Sequence, residues 1–474
     1  MATEKNKVET PSSAYMVMQP RLMLGKTLLG GTPAMRDAEK AYLPQYERES
    51  KTNYETRLEK AVLFNAYKKT LNGSVGRVFS KPITPSDDMP PVIRTMLDDV
   101  DRQGNNLDTW ARNSFRDGMN SALTHCLISF PTIAAETAED QLNQKATPYF
   151  TMIPHENLIA AYSEIIDGVE VLTHIRIYEE STAVVDFEEV TVQRIKVVEP
   201  GRFDIYEKSK RGYELVPELS GEFDLDFIPL RTFYAERDEF MIGTPPLSDL
   251  GYLNVSHWQV SSDMQNTLAV ASFPILAATG ISTGKDGKIV IGPKEVLTSS
   301  KTDAKFYYVE HSGASIKSNR DLLQDTEGRM ALEGLNLLRQ RKSGETATGR
   351  ALDSAEETSD LREMALRYQD FLNSCIEVAA VWAGQETPGT VEVNTDNLVM
   401  AESDIDHLRL LYDMAIANRL SWVSYYSEVK RRSLLADAVT YENELKLIEK
   451  QPVDDRFNMF GDEPTTKPPS GDSE

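Results

Sequence analysis

An amphipathic helix near residue 370 is the clearest pattern of apolar and polar positions along the chain. Over about residues 353–383, apolar side chains recur at intervals of three and four, which places them on one stripe of an α-helix. We expect this stripe to be covered along its length, either by the core of the same chain or by another subunit. Its members are Leu361, Met364, Ala365, Tyr368, Phe371, Leu372, Cys375, Ile376, Ala379 and Trp382.

The first part of the chain contains weaker helical patterns. The first forty or so residues predict an irregular arm, and a helix is predicted over about residues 54–71, ended by Asn72-Gly73. Two more helices are expected near residues 92–102 and 107–124, the second capped by Asp108.

Between about residues 126 and 240 the apolar period changes to two. The segments 169–177, 192–198 and 203–206 alternate as half-buried antiparallel strands do. The chain therefore combines helical segments with a separate β-rich part, which indicates an α+β fold.

A second long helix is predicted over residues 247–273, with Pro274 stopping it. One side carries leucines and Trp258, but the other faces are mostly polar without charge, where an ordinary surface helix would carry lysine and glutamate. The uncharged polar positions are Asn254, Ser256, Gln259, Ser261, Ser262, Gln265 and Asn266.

Smaller elements complete the chain. A compact β-type insert is expected over residues 274–319, with strands at 289–291 and 306–309, and a helical run over 322–341 follows it. The loop at 342–349 then precedes the amphipathic helix. Helices are predicted over 404–418, 421–432 and 440–450, and the proline-rich, acidic last 24 residues predict a disordered tail.

Composition limits the classes of protein. The 474 residues are 40% hydrophobic, enough for a sizeable core in two or three domains, and no run is long and apolar enough for a membrane span. The start lacks the apolar run of a signal peptide, so the cytoplasm is the expected compartment. Cys126 and Cys375 predict buried thiols rather than a disulfide or metal framework.

The net charge of −23 argues against a protein that holds DNA by counterion release. Solubility is the simplest explanation of such a charge. An acidic surface could also let DNA pass without holding it.

Candidate catalytic patterns are weak. Gly280-Ile-Ser-Thr-Gly284-Lys285 has three residues between its glycines where a phosphate loop needs four, and Asp286 follows the lysine where a serine or threonine is required. Glu222, Asp224 and Asp226 alternate, which could place three carboxylates on one strand face for a metal, although a solvated strand face explains them better.

The remaining candidate residues also form no catalytic or metal-binding pattern. Asp98, Asp99 and Asp101 are best explained as a solvated helix end, and there is no Gly-x-Ser-x-Gly elbow. Trp258, Trp382 and Trp422 favour core or subunit contacts. No catalytic residue, metal ligand or cofactor is therefore expected. The six histidines show no pair at helical ligand spacing: His125, His155, His174, His257, His311 and His407.

A series of short segments, taken in order, resembles the portal proteins of tailed bacteriophages, in a subgroup described only as a domain of unknown function. The resemblance spans about residues 40–450. It rests on Tyr42-Leu-Pro, Tyr54-Glu-Thr-Arg-Leu, Asn72-Gly-Ser-Val-Gly76-Arg-Val-Phe79, Pro246-Leu-Ser-Asp-Leu-Gly-Tyr-Leu-Asn254, Phe273-Pro-Ile-Leu, Thr279-Gly280, Tyr308-Val-Glu-His-Ser-Gly313, Glu345-Thr-Ala-Thr348 and Trp382-Ala-Gly384.

The resemblance implies a portal fold with an α/β wing, a two-helix stem, a small β-containing clip, a long wing helix and a helical crown. The implied divisions are an N-terminal arm (1–45), the wing (46–246), stem helix 1 (247–273), the clip (274–319), stem helix 2 (320–341), a tunnel loop (342–352), the long wing helix and a strand (353–400), the crown (401–450) and a disordered acidic tail (451–474).

The resemblance further implies a ring, usually of twelve copies, at one capsid vertex, through which double-stranded DNA is packaged and ejected without sequence specificity. The implied partners are the terminase large subunit, a head–tail connector or adaptor, and the major capsid and scaffold proteins, with assembly in the host cytoplasm and no membrane. A ring would also explain the uncharged polar faces of the 247–273 helix as subunit contacts.

Site residues follow from this division. The tunnel loop would bring these residues to the DNA channel: Arg341, Lys342, Ser343, Gly344, Thr346, Thr348, Gly349 and Arg350. The clip lysines Lys285, Lys288, Lys294 and Lys301 are expected to contact partners, and Tyr368, Phe371 and Trp382 to lie in the core or a subunit interface. The alternatives are a metal-dependent enzyme using Glu222, Asp224 and Asp226, or another structural ring of the head–tail junction.

Overall fold

The computed structural model describes residues 7–131, 147–271, 275–279, 305–309, 314–336, 360–395, 404–431, 435 and 440–449. The chain divides into two compact units, residues 1–400 and 401–474. Helices and antiparallel strands are both abundant in the described residues, which agrees with the predicted α+β class.

The helices are α1 (Ser13–Asp37), α2 (Lys51–Lys60), α3 (Ala66–Val78), α4 (Pro91–Met96), α5 (Leu107–Ser121), α6 (Ser248–Ala271), α7 (Ala314–Asn336), α8 (Asp360–Trp382), α9 (Asp404–Ile416), α10 (Trp422–Arg431) and α11 (Tyr441–Glu449). The strands are β1 (Thr84–Pro85), β2 (Leu123–Ser129), β3 (Tyr149–Pro154), β4 (Leu158–Ile166), β5 (Val169–Val185), β6 (Glu188–Glu199), β7 (Arg202–Ser209), β8 (Gly212–Leu215), β9 (Gly221–Glu222), β10 (Leu230–Tyr234), β11 (Arg237–Glu239), β12 (Ile242–Gly243), β13 (Ile275–Thr279), β14 (Lys305–Val309) and β15 (Val391–Glu392).

The predicted irregular conformation of the N-terminal residues is wrong, because residues 13–37 form α1. Ser12 caps this helix by accepting a hydrogen bond from the Tyr15 backbone N–H, and the helix kinks at Gly31, whose φ is 74°. Glycines and prolines lower the helix propensity of this segment. Packing overrides that preference, since Met18, Leu28 and Met35 are buried.

The single helix predicted over residues 54–71 is also wrong. The chain forms α2 and α3 instead, and Ala61 is extended at the break between them. The Asn65 side chain caps α3 by accepting a hydrogen bond from the Lys68 N–H. Asn72-Gly73 does not end α3, because the buried face continues through Val75 and Val78.

Two helix starts differ from prediction. Asn106, not Asp108, caps α5 by accepting a hydrogen bond from the Thr109 N–H, and the Asp108 carboxylate accepts one from the Ile83 N–H at 2.8 Å. The helix α7 begins at Ala314, ahead of its predicted start at residue 322.

The predicted β-rich part is confirmed. Its larger sheet is antiparallel in the order β4-β5-β6-β7-β8, with β9 also paired to β7, and its smaller sheet has the order β10-β2-β3. The hairpin of β5 and β6 pairs residues from Ile175↔Val198 to Val185↔Glu188. The smaller sheet packs on α5 and α8 and so joins the β-rich part to the helical core.

The three helices predicted for the C-terminal unit are present as α9, α10 and α11. Ser421 Oγ accepts a hydrogen bond from the Ser424 N–H at 3.0 Å, and Thr440 Oγ1 accepts one from the Asn443 N–H at 3.3 Å, so both later helices begin with a side-chain cap. Trp422 packs edge-on against Tyr412 and Tyr425 of the same unit.

Candidate functional site

The pair of helices α6 and α7 forms the candidate site. After α6 ends, residues 275–279 form β13, which pairs antiparallel with β14 from Ile275↔Val309 to Thr279↔Lys305. The chain then enters α7, which packs against α6. The result is a helical hairpin that carries a two-stranded ladder at its end.

A direct contact joins the two helices of this hairpin. His257 Nε2 lies 3.2 Å from Glu327 Oε1, and the imidazole packs against the Phe64 ring with 5.3 Å between ring centroids. Leu323, Thr326 and Met330 of α7 are buried. Leu322 and Leu332 of the same helix are 49% and 50% exposed. One side of α7 therefore lies against the rest of its unit, and the exposed side carries these two leucines among charged residues such as Asp321, Asp325 and Arg329.

Part of the uncharged polar surface of α6 is covered by the chain itself, and another part, with Ser256 and Asn266, is exposed. Asn254 is fully buried, where its Oδ1 accepts a hydrogen bond from the Tyr67 N–H at 3.0 Å and its Nδ2 donates one to the Phe64 carbonyl at 2.8 Å. Gln259 Nε2 donates to the Tyr42 carbonyl at 2.9 Å. The polar side chains on this helix fix its position against residues 42–67.

An ion-pair cluster extends this contact toward the end of α6. The Arg57 guanidinium is buried, with Nε 2.8 Å from Glu49 Oε1 and Nη1 3.3 Å from Asp263 Oδ1 of α6. Hydrogen bonding to Arg57 lowers the pKa of Glu49. Burial and the hydrogen bond to Asp263 raise the pKa of Tyr46 to about 12. A buried arginine needs such partners, because an unpaired one would be strongly destabilising.

The predicted tunnel-loop residues, from Arg341 to Arg350, lie outside the described residues. The same holds for the predicted clip lysines Lys285, Lys288, Lys294 and Lys301, for the strand at 289–291, and for the Gly280 to Lys285 segment. Of the predicted clip, the structure describes the β13 and β14 ladder, and β14 includes the strand predicted at residues 306–309.

The stripe of α8 is covered by its own chain. Tyr368 and Phe371 belong to the main core, and the Tyr368 ring meets those of Phe79, Phe115 and Phe233 at centroid distances of 5.0–5.9 Å. The Tyr368 hydroxyl donates to the Ala111 carbonyl at 2.9 Å and contacts the Ser114 hydroxyl.

Trp382, at the end of the stripe, is only partly buried. Its Nε1 donates to the Ile128 carbonyl at 3.3 Å, and its ring stacks on Phe130. It also meets Phe223 with 6.0 Å between ring centroids. These contacts join the end of α8 to the β-rich part.

The carboxylates considered for a metal do not gather. Glu222, Asp224 and Asp226 are all exposed, and only Glu222 lies in a strand, so the single strand face expected for them is wrong. No group of three or more His, Cys, Asp or Glu side chains in the described ranges could hold a metal ion.

Asp99 and Asp101 have a local structural role. Asp99 Oδ1 accepts a hydrogen bond from the Gly104 N–H at 2.8 Å, and Asp101 Oδ1 accepts one from the Gln103 N–H at 2.9 Å. These carboxylates organise the turn before α5. The expectation that they form only a solvated helix end is therefore incomplete.

Two buried pairs were not predicted from the sequence. His125 Nε2 lies 2.8 Å from His155 Nδ1, and both imidazoles are buried, which lowers the pKa of His155 to about 4 and that of His125 well below its usual value. Cys126 and Cys375 are buried free thiols, as expected, but β2 and α8 bring them together. Burial and the neighbouring Cys375 thiol raise the pKa of Cys126. No sequence spacing indicates either pair, because each forms only through tertiary packing.

No helix in the described part of the chain is long and apolar enough to cross a membrane.

The comparison with protein families matches the segment that contains α6, α7 and α8. Residues 246–383 match a family described as a domain of unknown function (DUF4055), a segment that runs from just before α6 to just after α8. A search of curated proteins finds no match.

Among solved structures, chains of gene transfer agent particles are similar to this one. A chain from the neck of an empty particle, computed with C6 symmetry, is 10% identical with a TM-score of 0.41 over 75% of this chain and 87% of that chain. A chain from the neck of a native particle, computed with C12 symmetry, is 10% identical with a TM-score of 0.38 over 78% and 89%. A chain from the native virion is 10% identical with a TM-score of 0.37 over 75% and 87%.

Proposed function

We propose that the chain is a structural subunit of a ring at the head–tail junction of a phage-like particle, and that it is the portal protein. The observation that carries this proposal is the hairpin of α6 and α7 with the β13–β14 ladder at its end. Two packed helices closed by a small β element correspond to the stem and clip that the resemblance implies. The ordered sequence segments that resemble portal proteins include the start of α6 and both sides of this ladder.

In this proposal Asn254 and Gln259 of α6 do not serve as subunit contacts, because backbone groups of Tyr42, Phe64 and Tyr67 bind their side chains. The exposed side of α7, with Leu322 and Leu332, takes that role instead. Two exposed leucines among charged residues on one long helix would give a head-to-tail contact both apolar and charged partners, and such a contact closes into a ring by rotation.

The residues outside the described ranges keep their proposed roles. Arg341, Lys342 and Arg350 would offer charge-assisted hydrogen bonds to passing phosphates, and the clip lysines would contact the terminase or connector. A subunit charge of −23 gives the ring a strongly negative total, which disfavours tight holding of the DNA backbone. The proposed role is structural, and no catalytic step is assigned to this chain.

Electron microscopy and mass photometry of the purified protein test the proposal. We expect ring-shaped particles of about twelve chain masses with a central channel. The variant Leu332→Glu should reduce the ring fraction because it places a charge in the proposed contact, whereas Leu366→Glu, at a 37% exposed position on α8, should not. A wild-type protein that remains a monomer or dimer over the concentration range of assembly would contradict the proposal.

A further inference from the structure

The strands β5 and β6 continue beyond their sheet as a two-stranded arm, residues 180–193. The neighbouring strand β4 pairs with β5 only up to Ile177, and β7 pairs with β6 only from Arg194. Within the described residues the two strands of the arm pair only with each other, as far as Val185↔Glu188. At 3.3 Å per residue the arm is about 20 Å long. A two-stranded ribbon is at best marginally stable alone in water, so a contact with another surface would stabilise it.

The turn at the end of the arm contains an unusual residue. Asp186 and Phe187 have φ values of 49° and 70°, the left-handed conformation of a two-residue hairpin turn. The β4–β5 turn has the same conformation at Asp167-Gly168, where glycine adopts it without strain. A bulky side chain is rare in this conformation, and the Phe187 ring is fully exposed. Neither the turn geometry nor burial among the described residues explains a phenylalanine here.

The arm is acidic as well as apolar. Val184 and Val190 are exposed in the same arm as Phe187. The arm has no lysine or arginine, and its four carboxylates are all exposed: Glu180, Asp186, Glu188 and Glu189. The arm therefore fits a surface that offers positive charge together with room for an aromatic ring.

The exposed side of α3 has the opposite charge. Residues 60–86 include five basic side chains and no acidic one, although acidic residues outnumber basic ones by 74 to 51 in the whole chain. Lys68 and Lys69 are exposed on α3. Arg116 of α5 borders the same helix, because its Nε donates to Asn72 Oδ1 at 3.0 Å. In the part of the chain that the structure describes, these three basic side chains form no ion pair.

Two glycines leave the middle of this side of α3 without side chains. A Cβ atom at Gly73 or Gly76 would meet no other part of the chain within 4 Å, whereas one at Gly118 of α5 would lie 2.4 Å from the Phe233 ring. Glycine lowers helix stability relative to alanine, so packing among the described residues gives no reason for the two glycines of α3. They allow an aromatic ring to approach the helix backbone closely. We call the following residues the α3 face: Lys68, Lys69, Gly73, Gly76 and Arg116.

The helix α3 also adjoins the ring contact proposed above. Thr70 of α3 packs against α7 at Gly334, where a Cβ atom would lie 2.9 Å from Thr70 Oγ1. Leu332, the exposed residue assigned to the ring contact, lies on the same helix two residues earlier. This continuity favours a second copy of the chain as the partner of the α3 face.

We propose that the arm of one copy docks on the α3 face of the next copy, with the Phe187 ring over the two glycines and the arm carboxylates beside the basic side chains. The two surfaces are different, so the contact is head-to-tail, the type that closes into a ring by rotation. Opposite charges would speed the encounter and fix the register of the contact. This inference rests on the proposed ring function and adds a specific subunit contact to it.

Charge reversal on each surface tests whether the two meet. In mass photometry of the full-length chain, Lys68→Glu with Lys69→Glu should raise the protein concentration at which half of the chains are in rings at least about tenfold. Glu188→Lys with Glu189→Lys should do the same. Both pairs combined in one chain should restore assembly, because every contact then has opposite charges again.

A matched control separates this contact from an effect of net charge. Lys210→Glu with Arg211→Glu, at exposed positions of the β7–β8 turn, changes the net charge as much as reversal of the two α3 lysines. We expect this control to assemble like the wild type.

Two further substitutions separate assembly from folding stability. In melts below the concentration of assembly, Gly76→Ala should raise the Tm, because alanine has the higher helix propensity and its Cβ meets nothing. Phe187→Gly should not lower the Tm, because glycine adopts the positive φ of this position without strain. Both should nevertheless reduce the ring fraction, since one adds a side chain to the α3 face and the other removes the ring that packs there.

Normal assembly of the altered chains would overturn this inference. If all of these variants form rings as the wild type does, the docked arm is wrong and the proposed ring remains. A combined charge reversal that keeps its Tm but assembles no better than either pair alone would also overturn it. A wild type that stays monomeric would overturn both proposals. If Lys68→Glu with Lys69→Glu leaves assembly unchanged but weakens salt-dependent binding of a short DNA duplex, the α3 face binds a phosphate backbone and not the arm.

Discussion

The helices α6 and α8 are of nearly equal length, 24 and 23 residues, but they use their packing surfaces differently. The buried positions of α8 are apolar apart from the Tyr368 hydroxyl and the Cys375 thiol. On α6, Asn254, His257 and Ser262 are buried beside leucines and Trp258. The helix α8 is thus held by apolar contact, whereas α6 is held in part by specific hydrogen bonds.

This difference explains why the burial of α8 could be predicted from the sequence, whereas the partners of the polar side chains on α6 could not. An apolar stripe must be covered by something, so its burial is predictable even when the covering element is unknown. An uncharged polar face has two explanations, another subunit or specific partners in the same chain. In α6 the second holds for Asn254 and Gln259, because residues 42–67 supply backbone groups that their amides match.

The largest expected effect is the loss of apolar packing at Tyr368 on α8. The side chain is fully buried among aromatic rings, so Tyr368→Ala should lower the free energy of unfolding by about 3–5 kcal/mol. Leu366→Ala, on the exposed side of the same helix, should change it by less than about 1 kcal/mol. Chemical denaturation followed by circular dichroism measures both. Equal effects of the two substitutions would show that α8 is not held by its stripe.

A smaller effect is expected from the polar contacts of α6. Asn254→Ala leaves the Tyr67 N–H and the Phe64 carbonyl without their side-chain partner, which should cost about 1–3 kcal/mol. Asn266→Ala on the same helix is the matched control, because Asn266 is exposed and alanine has the higher helix propensity. Denaturation curves should therefore separate the variants. If Asn254→Ala is as stable as Asn266→Ala, the buried amide does not fix α6, and a covering subunit again becomes the better explanation of its polar faces.

Strongly periodic segments could be predicted from the sequence, and weakly periodic ones could not. The stripe over residues 361–382 and the alternation over 169–206 each repeat many times, so α8 and the β5–β7 strands are where the pattern places them. In contrast, α1 contains Pro20, Pro33 and Gly31, and local preference alone argues against a helix there. Burial of Met18, Leu28 and Met35 decides the outcome, and burial is a property of the assembled fold.

The candidate site could likewise be predicted from the sequence only in part. The hairpin of α6 and α7 could be predicted because two long helical patterns flank a strand pattern. The partners of Arg57 could not, because Asp263 lies on a distant helix and a lone arginine in α2 gives no sign that it will be buried. Likewise, His125 and His155 pair through the contact of β2 with the turn after β3. Groups that combine only in three dimensions leave no spacing in the chain.

The smallest expected effect on stability comes from removing the Tyr368 hydroxyl while its ring stays in place. At neutral pH, Tyr368→Phe should cost about 1 kcal/mol, because the hydrogen bond to the Ala111 carbonyl is lost while the apolar packing remains. Burial raises the pKa of Tyr368 well above its usual value of 10. Above pH 10 the unfolded chain releases this phenol proton and the folded chain retains it, so the free energy of unfolding falls by about 1.4 kcal/mol per pH unit in the wild type through this group.

The phenylalanine variant lacks that loss, so the stabilities of the two proteins should converge at about pH 11. Denaturation at pH 8 and pH 11 measures this convergence. Tyr252→Phe on α6 is the matched control, since Tyr252 is 65% exposed and its replacement should leave the free energy of unfolding unchanged at both pH values. A gap between wild type and Tyr368→Phe that stays constant with pH would mean that the phenol can reach water in the folded chain, and that the stripe of α8 is less completely covered than its apolar contacts indicate.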